Sequence, residues 1–162
     1  MSEAAVNEAL GELLSPSQAN TCLACPAKWY FRYLVGLTEP TTGALAQGKA
    51  FHGTSARNFR QKMSTGRDME NGELSEVFAE EWSQAMADAA LRDDEDAAEL
   101  ATTGEVLVQA YLSEAGRSVK PKAIEQTSQG EIAGVKVRGI VDLLPDLSRV
   151  DDEHTGTGLS CA

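Results

Sequence analysis

The chain has 162 residues, 42% of them apolar and 24% charged, with a net charge of −11. That length suits one domain able to bury ~70% of its unfolded surface, and the composition excludes a disordered or fibrous chain. No apolar run approaches ~18 residues, which excludes a membrane-spanning helix, and three cysteines make no disulfide framework.

Residues 1–14 carry Glu3, Glu8 and Glu12 and no Lys or Arg, so they lack the basic start of a secretory signal. They read as an extension before a domain at 15–162, in a reducing cytoplasm. Ser15-Pro16 opens the first helix, with Ser as N-cap and Pro at the first helical position. The run 18–34 is helical in character, and Pro26 imposes a bend or break near Cys25. Gly36 and Glu39-Pro40 end it. Residues 44–63 form the next helix and bring Leu45, Lys49, His52, Ala56, Phe59 and Met63 near one another at spacings of three or four. Residues 64–72 read as a loop. A helix follows over 73–91 with the stripe Leu74, Val77, Phe78, Trp82, Ala85 and Met86. Another spans 94–115, with Leu100, Val106, Leu107, Ala110 and Tyr111 on one side. After Gly116 the period changes. Residues 123–132 alternate, Ala133-Gly134 makes a tight turn, and 135–144 alternate again, which predicts a β-hairpin. Residues 147–152 read as a short third strand. Helices first and a small antiparallel or mixed sheet afterwards define an α+β fold.

The charge is unevenly spread. Residues 19–67 carry seven basic side chains, Lys28, Arg32, Lys49, Arg57, Arg60, Lys62 and Arg67, against Glu39 alone. Residues 68–114 carry fourteen acids against Arg92. A uniformly acidic surface would repel phosphates. Here a basic first third, interleaved with Trp29, Tyr30, Phe31 and Tyr33, is available to nucleic acid, and the acidic run reads as a solvated helical face.

Several residues are candidates for chemistry. Asp142 closes the apolar run Gly139-Ile140-Val141, and Asp is depleted in strands. Asp151-Asp152-Glu153-His154 lies ten residues on, and alternation puts Asp152 and His154 on one face. If those strands pair, Asp142 and Asp152 converge, and a divalent cation relieves their repulsion. His52 is one of only two histidines. Plainer roles stand beside these: Asp142 as a turn cap, the acidic triplet as a solvated run, His52 as a core or surface histidine. Cys22-x-x-Cys25 supplies too few ligands for a closed metal site and reads as helix packing.

Taken together, the linear pattern resembles the RecB-type branch of the PD-(D/E)XK nuclease superfamily, which includes the RecB and AddB nuclease domains and the CRISPR adaptation exonucleases. The resemblance rests on Leu14-Ser15-Pro16-Ser17, then Cys25-Pro26-Ala27-Lys28 with Phe31-Arg32-Tyr33, then Gly48 to His52, Glu125, Gly139 to Asp142, and Asp152-Glu153-His154-Thr155-Gly156. It implies a restriction-endonuclease-like core and phosphodiester hydrolysis of DNA with Mg²⁺ or Mn²⁺. It implies metal ligation by His52, Asp142, Asp152 and the backbone carbonyl of Glu153, with Asp142, Asp152 and His154 as the catalytic group. Lys28, Arg32, Tyr33 and Lys49 would hold DNA, and a helicase or another repair or CRISPR protein is the implied partner. His154 stands where the family has lysine. The family's Gln-x-x-x-Tyr helix and its cysteine cluster have no counterpart here, so the core is expected to be incomplete at its C-terminus, with no iron–sulfur cluster. The rival expectation is a non-catalytic remnant that binds DNA or a protein.

Overall fold

The computed structural model describes residues 13–146. Ser15 caps α1 (Pro16–Ala24) with a capping box: its hydroxyl accepts the Gln18 N–H at 3.2 Å, and Gln18 Oε1 accepts the Ser15 N–H at 2.8 Å. Pro26 breaks the helix as expected. Cys25 is extended at φ −159°, and α2 (Pro26–Trp29) restarts at once, widening into a π-helical turn over Tyr30–Leu34. The expected packing role of the cysteines is corrected here for Cys25, while Cys22 is half-buried. Cys25 is exposed, and its Sγ accepts the Lys28 N–H at 3.4 Å. A proline at the first position of α2 needs an extended residue before it, and that residue becomes the cap.

The central element is α3 (Gly43–Thr65), which contacts α4 (Asn71–Met86), α5 (Ala97–Ser113) and β1 (Pro121–Ile132). Its buried stripe begins with the small residues Gly43, Ala46, Ala50 and Thr54 and continues to Asn58. Small side chains let neighbouring helices approach closely. Gly104 of α5 completes this, because a Cβ there would meet Phe78 at 2.6 Å and Gln47 at 3.0 Å. Phe59, Leu74, Phe78, Val108 and Leu112 fill the core around Ala50. The stripe expected on α5 is displaced. Val106 and Leu107 are exposed, while Gly104, Val108 and Leu112 are buried. The approach at Gly104 selects its own ridge of residues four apart, and that outweighs raw apolarity.

Polar groups tie the loops to α3. Thr42 caps its N-terminus. Glu95, from the loop before α5, accepts the N–H groups of Gly43 at 3.0 Å, Ala44 at 3.1 Å and Arg92 at 3.0 Å. Those N–H bonds, that of Arg92 first and then that of Ala44, hold the Glu95 carboxyl below its ordinary range. At the other end, fully buried Asn58 donates to Asp68 at 2.8 Å and accepts the Met69 N–H at 2.8 Å. Lys62 bonds Asp68 at 2.9 Å and the carbonyls of Gly116 and Arg117, which lie within the short α6 (Ala115–Ser118).

The hairpin forms as the alternation predicts. β1 pairs antiparallel with β2 (Val135–Pro145), from Ile132↔Val135 outward to Pro121↔Pro145. Ala133 and Gly134 sit at φ 51° and 79°, the left-handed pair that a two-residue hairpin turn requires. Ile124 and Leu143, opposite each other, pack onto the helical core. Leu14 bonds the outer edge of β2 at Lys136 and Arg138, both at 2.9 Å. The third strand expected over 147–152 lies outside the described residues.

Two outcomes follow for stability. Because Glu95 carries a lowered folded-state pKa, its contribution is complete above the ordinary glutamate range and is lost as pH falls through the lowered value. Glu95→Gln should therefore melt lower at neutral pH and show a flatter acid limb, read from thermal melts between neutral pH and about pH 3. Asn58→Leu keeps the volume but strips the Met69 N–H of its acceptor, and should cost roughly 1–3 kcal/mol in urea unfolding.

Candidate functional site

One cavity, of about 620 Å³, opens where α3, α5 and the hairpin meet. From α3 it takes Leu45, Lys49, His52, Ala56 and Phe59, the face that sequence spacing predicted, without Met63. From the hairpin it takes Glu125, Asp142 and Leu143, and from α5 Tyr111. His52 and Asp142, remote in sequence, thus share one enclosure. His52 is exposed and its ring lies edge-on to Phe51 at 6.1 Å.

Simple alternation does not explain the hairpin's part. The pairs Ile124↔Leu143 and Gln126↔Val141 place Glu125 opposite Asp142. Since Ile124 and Leu143 face the core, a regular strand would turn Glu125 away from the helices. Glu125 instead has φ 50°, a left-handed backbone that costs about 1 kcal/mol or more for a residue with a Cβ. It forms an ion pair with Arg60 of α3. Sequence reasoning counted Arg60 only among the basic residues of the first third, although it lies two helical turns beyond His52 and one beyond Ala56, so following that face would have placed it at this site.

The donor types suit a hard divalent cation: an imidazole and two carboxylates. Among the described residues, however, no three His, Cys, Asp or Glu side chains are placed to hold one ion. Glu125 is engaged by Arg60, and Asp152, Glu153 and His154 lie outside the described residues. His52 and Asp142 are therefore a partial donor set.

The four residues expected to bind nucleic acid are divided. Lys49 lines the central cavity and bonds the Thr41 hydroxyl at 3.2 Å. Lys28 and Arg32 line a separate cavity of about 330 Å³ with Phe31, Leu37, Thr38 and Glu39. Tyr33 packs against Trp29 with ring centroids 6.2 Å apart, and the Arg32 guanidinium lies 5.7 Å from its ring centre. The basic first third is also less free than its composition suggested. Lys28 pairs with Glu39 at 3.4 Å, and Lys62 with Asp68. Arg57 pairs with Glu80 at 2.6 Å and Glu81 at 3.6 Å, and its pKa is raised chiefly by the hydrogen bond to Glu80. Part of the acidic run is thus the counter-charge of α3 and not only a solvated face.

The family model of the PD-(D/E)XK nuclease superfamily matches residues 13–155. The chain belongs to that superfamily, and its helices-then-hairpin α+β architecture is consistent with such a core. No curated protein and no solved structure matches the chain. No helix among the described residues is long and apolar enough to cross a membrane.

Arg60 and Glu125 are each about half exposed, so their pair contributes at most ~1 kcal/mol to folding. Arg60→Ala should barely change the melting temperature. It should also leave two unpaired carboxylates facing the cavity and tighten Mn²⁺ binding in a calorimetric titration. Unchanged affinity would show that Glu125 and Asp142 do not act on a common ion.

Proposed function

We propose that the chain is a divalent-metal-dependent DNA nuclease of the RecB-like type, formed by residues 15–162 behind a short extension at 1–14 and working in the cytoplasm. The observation that carries this reading is the meeting of His52 and Asp142 in one cavity within a chain of this superfamily. His52 and Asp142 would hold Mg²⁺ or Mn²⁺ together with Asp152 and the Glu153 carbonyl. A cation there supplies charge neutralisation at the phosphoryl oxygens and acidifies water. The chain's own residues do the rest. Lys49, beside the cavity, would hold a phosphate of the strand, and Lys28, Arg32 and Tyr33 would hold DNA further along. His154, at the lysine position, would accept the proton of the attacking water at a ring nitrogen. An imidazole there does not reproduce the lysine's fixed ammonium. A helicase or another repair or CRISPR protein would be the natural source of such DNA.

The substitution at 154 keeps a second reading alive: a nuclease remnant that binds DNA or a protein without cutting. One experiment separates the two. Linear single- and double-stranded DNA are incubated with Mg²⁺ or Mn²⁺ and, as a control, with EDTA. The native chain should cut in the presence of metal, and Asp142→Ala should abolish cutting. His154→Lys should raise the rate, since positioned proton transfer contributes ~10²–10⁴-fold. Metal binding and DNA binding without cutting, by both the native chain and His154→Lys, would establish the remnant reading.

A further inference from the structure

We propose that one wall of the central cavity is a nucleobase subsite, in which an unpaired base stacks on Phe51 and Tyr111 and bonds the Ser55 hydroxyl. This deepens the nuclease reading by naming the form of DNA the site takes, and it rests on that reading only for the cutting step. A phosphate and a cation use the charged lining residues Lys49, His52 and Asp142. They have no use for the apolar ones, Leu45, Phe51, Phe59, Tyr111 and Leu143. An enclosure of about 620 Å³ lies within the ~300–1,000 Å³ typical of small-molecule sites. The ring of Tyr111 lies 5.5 Å from that of Phe51 and 6.5 Å, edge-on, from that of Phe59, so a planar ligand would meet a braced aromatic surface.

Ser55 is the observation that points to a ligand. It lines this cavity, is only 8% exposed, and its buried Oγ has no hydrogen-bond partner among the described residues. Its neighbour Thr54 shows the ordinary alternative, donating to the Ala50 carbonyl at 2.8 Å. A buried hydroxyl left unpaired destabilises the free protein, and rotation about the Ser55 Cα–Cβ bond toward the cavity would let a polar ligand atom remove that cost. A nucleobase combines the two requirements, a planar apolar face and a polar edge. Lys49 is placed for the adjoining phosphate: unlike Lys28, Arg57, Arg60 and Lys62, it has no carboxylate partner among the described residues. A base inside a duplex has both faces stacked and its edge paired, so the subsite accepts a single strand or a frayed end.

The test uses the full chain in EDTA, where nothing is cut. Fluorescence anisotropy compares a labelled single-stranded oligonucleotide, a strand of equal length with abasic sugars only, and a blunt duplex. The intact single strand should bind roughly tenfold or more tighter than the abasic one. Tyr111→Leu should erase most of that difference. Ser55→Ala should weaken the intact strand about two- to tenfold while the melting temperature stays level or rises, because an unpaired hydroxyl has been removed. If Tyr111→Leu does not fold, the abasic comparison and Ser55→Ala decide alone. Equal binding of intact and abasic strands, or a lower melting temperature in Ser55→Ala with unchanged affinity, overturns the proposal. Metal-dependent cutting judges the nuclease reading separately. A chain that cuts abasic strands as readily as intact ones keeps its activity and loses the subsite. A chain that distinguishes bases in EDTA and never cuts keeps the subsite and loses the activity.

Discussion

The core of the described fold is built on one helix, α3, whose two sides are under opposite demands. One side, from Gly43 through Ala46, Ala50 and Thr54 to Asn58, is closed by α4 and α5. The other, through Leu45, Lys49, His52 and Ala56, is left open as a cavity wall. A helix can present two such faces because side chains at spacings of three and four line up, and the two rows here lie roughly opposite each other. Small residues on the closed side bring the neighbours in. Longer ones on the open side reach out. The caps at both ends of α3, Glu95 at its start and the Asn58–Asp68–Lys62 cluster near its end, hold this helix in register with the loops around it.

Charge then follows the same geometry. The chain's acidity and its basic segment look like separate properties when counted along the sequence. In space they partly cancel, because Arg57 of α3 meets Glu80 and Glu81 of α4. These pairs are exposed enough that they contribute little to stability. Their larger effect is to decide which cations remain for a ligand. Lys49 remains at the cavity, and Arg32 remains on the aromatic turn after α2.

The hairpin contributes the carboxylates. Its register is set by the Ala133-Gly134 turn and by the docking of Ile124 and Leu143 on the core. Within that register Glu125 departs from strand geometry and meets Arg60, a local strain at the place where function is expected. An ion pair there engages one of the two carboxylates that line the cavity.

What the sequence determined by itself is whatever short-range chemistry controls. Ser15-Pro16 predicted the start of α1, Pro26 its break, Ala133-Gly134 the turn, and the three-four spacing from Leu45 to Phe59 the face that lines the cavity. Each depends on contacts within a turn or two of the chain, so each is legible in the order of residues. The motif order also predicted the superfamily. Tertiary structure alone decided the rest. It chose Gly104, Val108 and Leu112 over the more apolar-looking Val106 and Leu107, because close approach to Phe78 outweighs hydrophobicity counted residue by residue. It turned Glu125 toward Arg60 against the alternation of its strand, and it paired the basic first third with acids far along the chain. It also left the Ser55 hydroxyl buried without a partner among the described residues, in the cavity that Tyr111 also lines. These outcomes depend on how closely distant segments approach and on which groups are left over when they do, and neither quantity is a property of a local stretch of sequence.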